Sequence, residues 1–243
     1  MIGMVLAAGA GRRLRPITDT VPKALAPVDG DTTILDIALR NLAAVELRRV
    51  VIVVGYRAET IEQRQRELEQ RHGVDLVLVH NDRAEDWNNC YSLWLAREHF
   101  GKEVLLLNGD TVHPISVEHT MLAARGERVV LAIDDAKKLG AEEMKTVFDR
   151  HGYLSRITKV MAPEQAFGEY IGATYIPAAA GDALANALEE TWRRDPDLYY
   201  EDGYQTYADH GGEIGYASVG GTSWVEVDDH DDLARAREIA CHY

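Results

Sequence analysis

Residues 9–25 read GAGRRLRPITDTVPKAL, placing Arg12, Arg13, Arg15 and Lys23 on one glycine-bearing segment of a chain whose formal net charge is −14. Cations gathered in this way suit a polyanion. Gly9 and Gly11 let the backbone turn tightly and approach a bulky phosphate closely. The string lacks the third glycine of the dinucleotide fingerprint and no GxxxxGK[ST] follows, so neither hydride transfer nor a P-loop is indicated. A lone GxG is more often a solvated turn, and the residues around it must decide. Carboxylates appear at two other places. LLLNGD sets Asp110 just past an apolar run, and WVEVDDHDDL (224–233) offers Asp228, Asp229, Asp231 and Asp232. Carboxylate oxygens with phosphates and water suit magnesium. The same aspartates before a helical pattern also suit capping, a role assigned to Asp229, Asp231 or Asp232.

The elements that must position these residues are legible as alternating runs. IGMVLAA (2–8), RVVIVVG (49–55), DLVLVHN (75–81) and EVLLLNGD (103–110) read as strands. Helical periodicity separates them at 34–45, 58–71 and 91–100. Continuous apolar strands alternating with helices predict an α/β fold, a Rossmann-like, mostly parallel sheet covered by helices on both faces. Asp110 then lies at the C-terminal strand edge, where such sheets bind ligands. From about residue 128 RVVLAID, MKTVFD, YLSRITK and YIGATYIP follow one another closely, which predicts an antiparallel or mixed portion, with helices returning at 178–194 and 230–241. No repeat or Pro/Ser-rich linker divides the chain. The expectation is one domain over 1–243, with a nucleotide-binding part over about 1–127 and an acceptor-binding, closing part over about 128–243.

LAAGAGRRLRPITDTVPKAL (6–25) resembles, almost end to end, the signature of the sugar-phosphate nucleotidylyltransferase superfamily: a strand, then GxGxRLxPxT, then a Pro-Lys pair. The resemblance implies the nucleotide-diphospho-sugar transferase type of fold. It also implies a loop, Leu6, Ala7, Ala8, Gly9, Ala10, Gly11 and Arg12, that wraps nucleotide phosphates. Arg13 would hold the departing pyrophosphate and Lys23 the reacting phosphate, fixed cations aimed at charge that develops in the transition state. Arg12 and Arg15 suit a solvent-exposed role as readily. In this family the W-x-E-h-D strand (h apolar) supplies a second metal aspartate, here Asp228 beside Asp110, so Mg²⁺ is the implied cofactor. DWNNCYSLWLA (86–96) is similar to the NNxYSL segment of the phosphocholine cytidylyltransferase branch, making Asn88, Asn89 and Ser92 candidates for nucleotide contacts and CTP the implied donor. Side-chain amides before a helix are equally at home as caps. DLYYEDGYQTYAD (197–209) echoes the same branch, where the like segment leads into a strand, a short loop and the metal strand. Tyr199, Tyr200 and Glu201 could hold a cationic tail by cation–π attraction and countercharge, or serve in packing. EEMKTVFD places Lys145 as in inositol-phosphate and phosphonate cytidylyltransferases, and Glu169 falls in a pattern near the acceptor pocket.

The expectation is therefore a Mg²⁺-dependent cytidylyltransferase acting on CTP and a small phosphorylated or phosphonylated acceptor. A hexose-1-phosphate or inositol-1-phosphate nucleotidylyltransferase is the alternative within the class, and a catalytically silent nucleotide-sensing subunit the alternative outside it. Acidic residues outnumber basic ones 40 to 26, which argues against a general nucleic-acid or membrane surface. Cys90 and Cys241 are the only cysteines, without zinc-ligand spacing or a disulfide framework. The short apolar opening run lacks a basic segment before it, and nothing approaches the roughly 20 apolar residues of a membrane span, so a cytoplasmic protein is expected. Homo-oligomerisation is left open.

Overall fold

In the computed structural model, which describes residues 1–240, strand β1 (Ile2–Ala7) leads into the glycine loop. A small hairpin, β2 (Pro27–Asp29) and β3 (Thr32–Thr33), precedes helix α1 (Ile34–Ala44). Then come β4 (Arg49–Val54), α2 (Ala58–His72), β5 (Asp75–His80), α3 (Asn89–Leu95) and β6 (Val104–Asn108). The strands β6, β1, β4 and β5 lie side by side and parallel, in register Gly3↔Val50 and Gly3↔Leu105. Their centres are aliphatic on both faces because helices cover both. α3 starts two residues earlier than its periodicity suggests, since the Asn88 side chain accepts from Asn89 N, and it gives way to a 3₁₀ turn at Ala96–His99.

Short β7 (Thr111–Val112) and α4 (Ser116–Ala123) come next, followed by the mixed part of the sheet: β8 (Val129–Asp134), β9 (Lys145–Phe148), β10 (Leu154–Thr158) and the fully buried β11 (Gly168–Ile176). β11 is antiparallel to β8 along one edge, while its other edge is shared between β9 at the start and β6 at the end. Its pairing with β8 is irregular between Tyr170 and Thr174, where Gly172 takes φ +84°. Two helices follow, α5 (Gly181–Arg194) and α6 (Tyr200–Asp209), then β12 (Ile214–Ser218), which joins β8 in parallel. α6 is an element the sequence reading did not anticipate. The chain ends with β13 (Val225–Glu226) and α7 (His230–Ala240); the remaining helical residue expected, Cys241, lies outside the described residues. The result is a nine-stranded mixed sheet flanked by helices. Among the described residues no helix is long and apolar enough to cross a membrane.

A separate apolar cluster sits beneath the glycine loop. It joins Leu14 of the loop, Ile34 and Ile37 of α1, Val112 of β7, Val225 and Val227 around β13, and Leu233 and Ala236 of α7. β13 pairs antiparallel with β7 here. Burying these side chains fixes the loop, Asp110 and Asp228 in one frame. Truncating the wholly buried Leu14 to Ala should cost about 3 kcal/mol and loosen all three.

Candidate active site

The loop is built on glycine chemistry at one position in particular. Gly11 has φ +58°, and a Cβ there would meet Lys23 Cβ at 2.9 Å. Only a residue without a side chain lets the backbone turn left-handed and Lys23 pass this close. Thr18 Oγ1 donates to Gly11 O (2.8 Å), Lys23 N to Gly9 O (3.3 Å), and Tyr56 N to Ala8 O (3.1 Å), closing the turn over the end of β1. Leu6, Ala8 and Gly9 line a cavity of about 230 Å³; Ala7 is in the core, Ala10 half-buried and Arg12 exposed.

Lys23 passes beneath the loop to the carboxylates. Its Nζ lies 2.8 Å from Asp110 Oδ2 and 2.6 Å from Asp228 Oδ1, and Arg13 Nη2 lies 2.8 Å from Asp228 Oδ2. Burial works against the Lys23 ammonium, but the two aspartates outweigh it and hold its pKa above the ordinary lysine value. Burial also opposes the Asp228 charge, yet Lys23 and Arg13 keep that carboxyl below its usual range. Asp110, Glu226 and Asp228 each offer an oxygen within 4.8 Å of the others. Glu226 keeps solvent along its side chain, while desolvation of its carboxylate and the charges of Asp110 and Asp228 push its pKa up to about 7. Asp110 Oδ1 is buried without a hydrogen-bond partner. Three hard oxygen donors, one of them lacking a protein partner, fit a magnesium ion that keeps water and phosphate ligands. Glu226 was missed in the sequence although it is the Glu of the W-x-E-h-D string. The capping role falls to Asp229 and Asp232: Asp229 Oδ1 accepts from Asp231 N and Asp232 N, and Asp232 Oδ2 from Asp228 N and Asp229 N.

The amides of Asn88 and Asn89 line the 230 Å³ cavity but are largely committed to the protein. Asn88 Oδ1 accepts from Asn89 N (2.8 Å), and its Nδ2 donates to Asp197 O (2.9 Å). Asn89 Oδ1 accepts from Tyr200 N (2.9 Å). Ser92, in the same wall, accepts from Asn81 Nδ2 (2.8 Å). The Asn88–Asp197 and Asn89–Tyr200 bonds fasten this wall of the cavity to the 197–200 segment and give each of the two consecutive asparagines a structural partner.

Tyr199 and Glu201 line the same cavity. Glu201 is buried, its Oε2 has no partner, and burial, reinforced by the charge of Glu226, raises its pKa to about 8. Glu169 lines a second, wider hollow of about 620 Å³ shared with Arg13 and Asp228, and its carboxylate is paired with Lys137 Nζ at 2.7 Å. Burial raises the Glu169 pKa even so.

Two expected acceptor residues are placed elsewhere. Lys145 is wholly buried, and its Nζ donates to Ala141 O (2.8 Å) and Glu143 O (2.9 Å), so the ammonium closes a loop and lines neither hollow. Tyr200 points its hydroxyl into the interior, 2.8 Å from Asn108 Oδ1, and its ring packs against Tyr170 and Tyr204. The cation that lines both hollows is Lys159, which stands 5.0 Å over the Tyr199 ring. It follows β10 in the unremarkable string RITKV, and only the path of the sheet brings it here.

The solved structures similar in fold include the inositol-1-phosphate CTP transferase from T. maritima, with TM-score 0.80 and 22% identity, covering 97% of this chain and 96% of that one. Another is the CTP:phosphocholine cytidylyltransferase from Streptococcus pneumoniae, with TM-score 0.78 and 23% identity over 98% of both. Among curated relatives, a CMP-5'-(3-aminopropyl)phosphonate synthase from Streptomyces rubellomurinus is 31% identical over 250 residues, 96% of this chain and 38% of the relative. A choline-phosphate cytidylyltransferase from Streptococcus pneumoniae is 35% identical over 106 residues, 44% of this chain and 43% of the relative. The stretches matched thus span about two fifths of the length of these curated relatives. The sequence pattern of the Nucleotidyl transferase family matches residues 2–137, more than half of the chain, including the glycine loop, β6 and Asp110, and the chain belongs to that family.

Proposed function

We propose that this protein is a magnesium-dependent cytidylyltransferase that moves CMP from CTP to a small phosphonate or phosphate ester carrying an amine or quaternary ammonium tail, releasing pyrophosphate. The observation that carries this reading is Glu201: a buried carboxylate with an unpartnered oxygen, in the same cavity as the phosphate loop and Asp110. Burying such a group without a partner is costly, and a ligand cation offsets the cost. The similarity to an aminopropylphosphonate enzyme over nearly the whole chain supports the same class of acceptor.

The chemistry follows from positioning and charge. An acceptor phosphorus-bound oxygen, already anionic at neutral pH, attacks the α-phosphorus of CTP in line; the bond from that phosphorus to the bridging oxygen breaks, and pyrophosphate leaves with the electron pair. No proton needs to be removed from the nucleophile, so no general base is required. Lys23 and Arg13 bring fixed positive charge to the phosphates, and Lys159 does so from the acceptor side. A divalent ion held by Asp110, Glu226 and Asp228 supplies further neutralisation of the phosphate oxygens when bound. Pyrophosphate release measured for CTP, UTP, dTTP, ATP and GTP against 2-aminoethylphosphonate, 3-aminopropylphosphonate, phosphocholine, inositol-1-phosphate and glucose-1-phosphate tests the proposal. CTP with an amine-bearing acceptor should be turned over best; a sugar phosphate outperforming all others would overturn it.

A further inference from the structure

Asn108 closes the apolar run VLLLN of β6, two residues before Asp110, and lines the 230 Å³ cavity. Its amide is held from two sides. The buried Tyr200 hydroxyl donates to Asn108 Oδ1 at 2.8 Å, and Tyr200 Oη also stands 3.1 Å from Tyr170 Oη. On the other side is Gly172, at φ +84° in the irregular part of β11. A Cβ there would come within 2.5 Å of Asn108 Nδ2 and 2.7 Å of its Cγ, so the amide lies directly against bare backbone. With Oδ1 committed, Nδ2 retains its donor capacity and has no protein acceptor among the described residues. A donor fixed in orientation, in the cavity that the glycine loop and Glu201 also line, is suited to an oxygen that enters with the ligand.

We infer that Asn108 Nδ2 donates a hydrogen bond to a phosphorus-bound oxygen of the acceptor, and that Tyr200 and Gly172 are positioning residues that present this donor. The inference rests on the transfer reaction proposed above and deepens it: Asn108 selects an anionic phosphonate or phosphate, while Glu201 selects the tail. The N–H of an amide is a stronger donor toward an anionic oxygen than toward a neutral one, so the contact discriminates by charge. An aspartate in its place presents only acceptors and a negative charge, and repels the same oxygen.

Steady-state pyrophosphate release by the full chain tests this, with CTP and acceptor varied in turn. Asn108→Ala should raise the acceptor KM roughly tenfold and leave the CTP KM unchanged. Asn108→Asp should raise the acceptor KM further, roughly a hundredfold. Tyr200→Phe keeps the ring packing and should raise the acceptor KM a few-fold with kcat nearly constant; Gly172→Ala, checked for folding by thermal melting, should resemble Asn108→Ala. If the wild-type protein releases pyrophosphate but the Asn108 variants keep the acceptor KM, or shift the CTP KM instead because the amide contacts the ribose, the inference is overturned and the reaction stands. If the wild type turns over no phosphonate or phosphate acceptor, the reaction itself is overturned.

Discussion

Lys23 and Asp110 are 87 residues apart in sequence and 2.8 Å apart in space. The same ammonium reaches Asp228 at 2.6 Å, so one lysine from the loop joins the two ends of the candidate metal site. The contact depends on Gly11, on the β7–β13 pairing and on the apolar cluster beneath them.

The first prediction concerns that lysine. Lys23→Met should lower kcat/KM by roughly 100-fold or more, as loss of a cation aimed at the reacting phosphate requires. Circular dichroism should report an unchanged fold. Turnover within a few-fold of the parent would remove Lys23 from the reaction.

Metal binding is the second. Asp110→Asn, Glu226→Gln and Asp228→Asn should each weaken Mn²⁺ binding measured by calorimetry, roughly tenfold or more, because each removes one hard oxygen donor. EDTA should abolish turnover by the parent. Full activity in EDTA would take the divalent ion out of the mechanism.

The tail pocket provides the third. Glu201→Gln should raise KM for 2-aminoethylphosphonate and phosphocholine roughly tenfold, about 1.4 kcal/mol, and barely change it for 2-hydroxyethylphosphonate. Equal losses on all three would show that Glu201 does not read the tail.

The fourth concerns stability. Asp36 of α1 is buried and receives Thr33 Oγ1 at 2.6 Å, His72 Nε2 at 2.8 Å and Arg71 Nη1 at 3.2 Å, tying α1 to the end of α2. Burial opposes its charge, but the hydrogen bonds from His72 and Thr33 hold its carboxyl well below the ordinary aspartate value of 3.8. A depressed carboxyl contributes stability that is present above its unfolded pKa and lost as pH falls through the folded one. Asp36→Asn should therefore destabilise by about 3 kcal/mol at neutral pH. The gap between variant and parent in urea midpoints should narrow below about pH 4, the unfolded range for aspartate. A gap constant across pH would contradict the assignment.

The parallel half of the sheet was legible because strands buried on both faces cannot alternate: RVVIVVG and EVLLLNGD admit almost no other reading. The glycine loop was legible for a related reason, since a left-handed turn at Gly11 restricts residue type locally. α6 was not, because DLYYEDGYQTYAD carries four tyrosines at a spacing that a strand edge also tolerates; its burial against α5 and β10 makes it a helix. The destinations of the two lysines show the limit most clearly. Lys145 begins β9 and Lys159 directly follows β10, and no property of either residue says which ammonium will reach the cavity. Their fate depends on the path of the chain around the sheet: β9 meets the start of β11 and buries Lys145 against its own loop, whereas β10 delivers Lys159 to the lining of both hollows. Residue type and local spacing determined what chemistry this chain carries. Long-range strand pairing and core burial decided which of its charges meet.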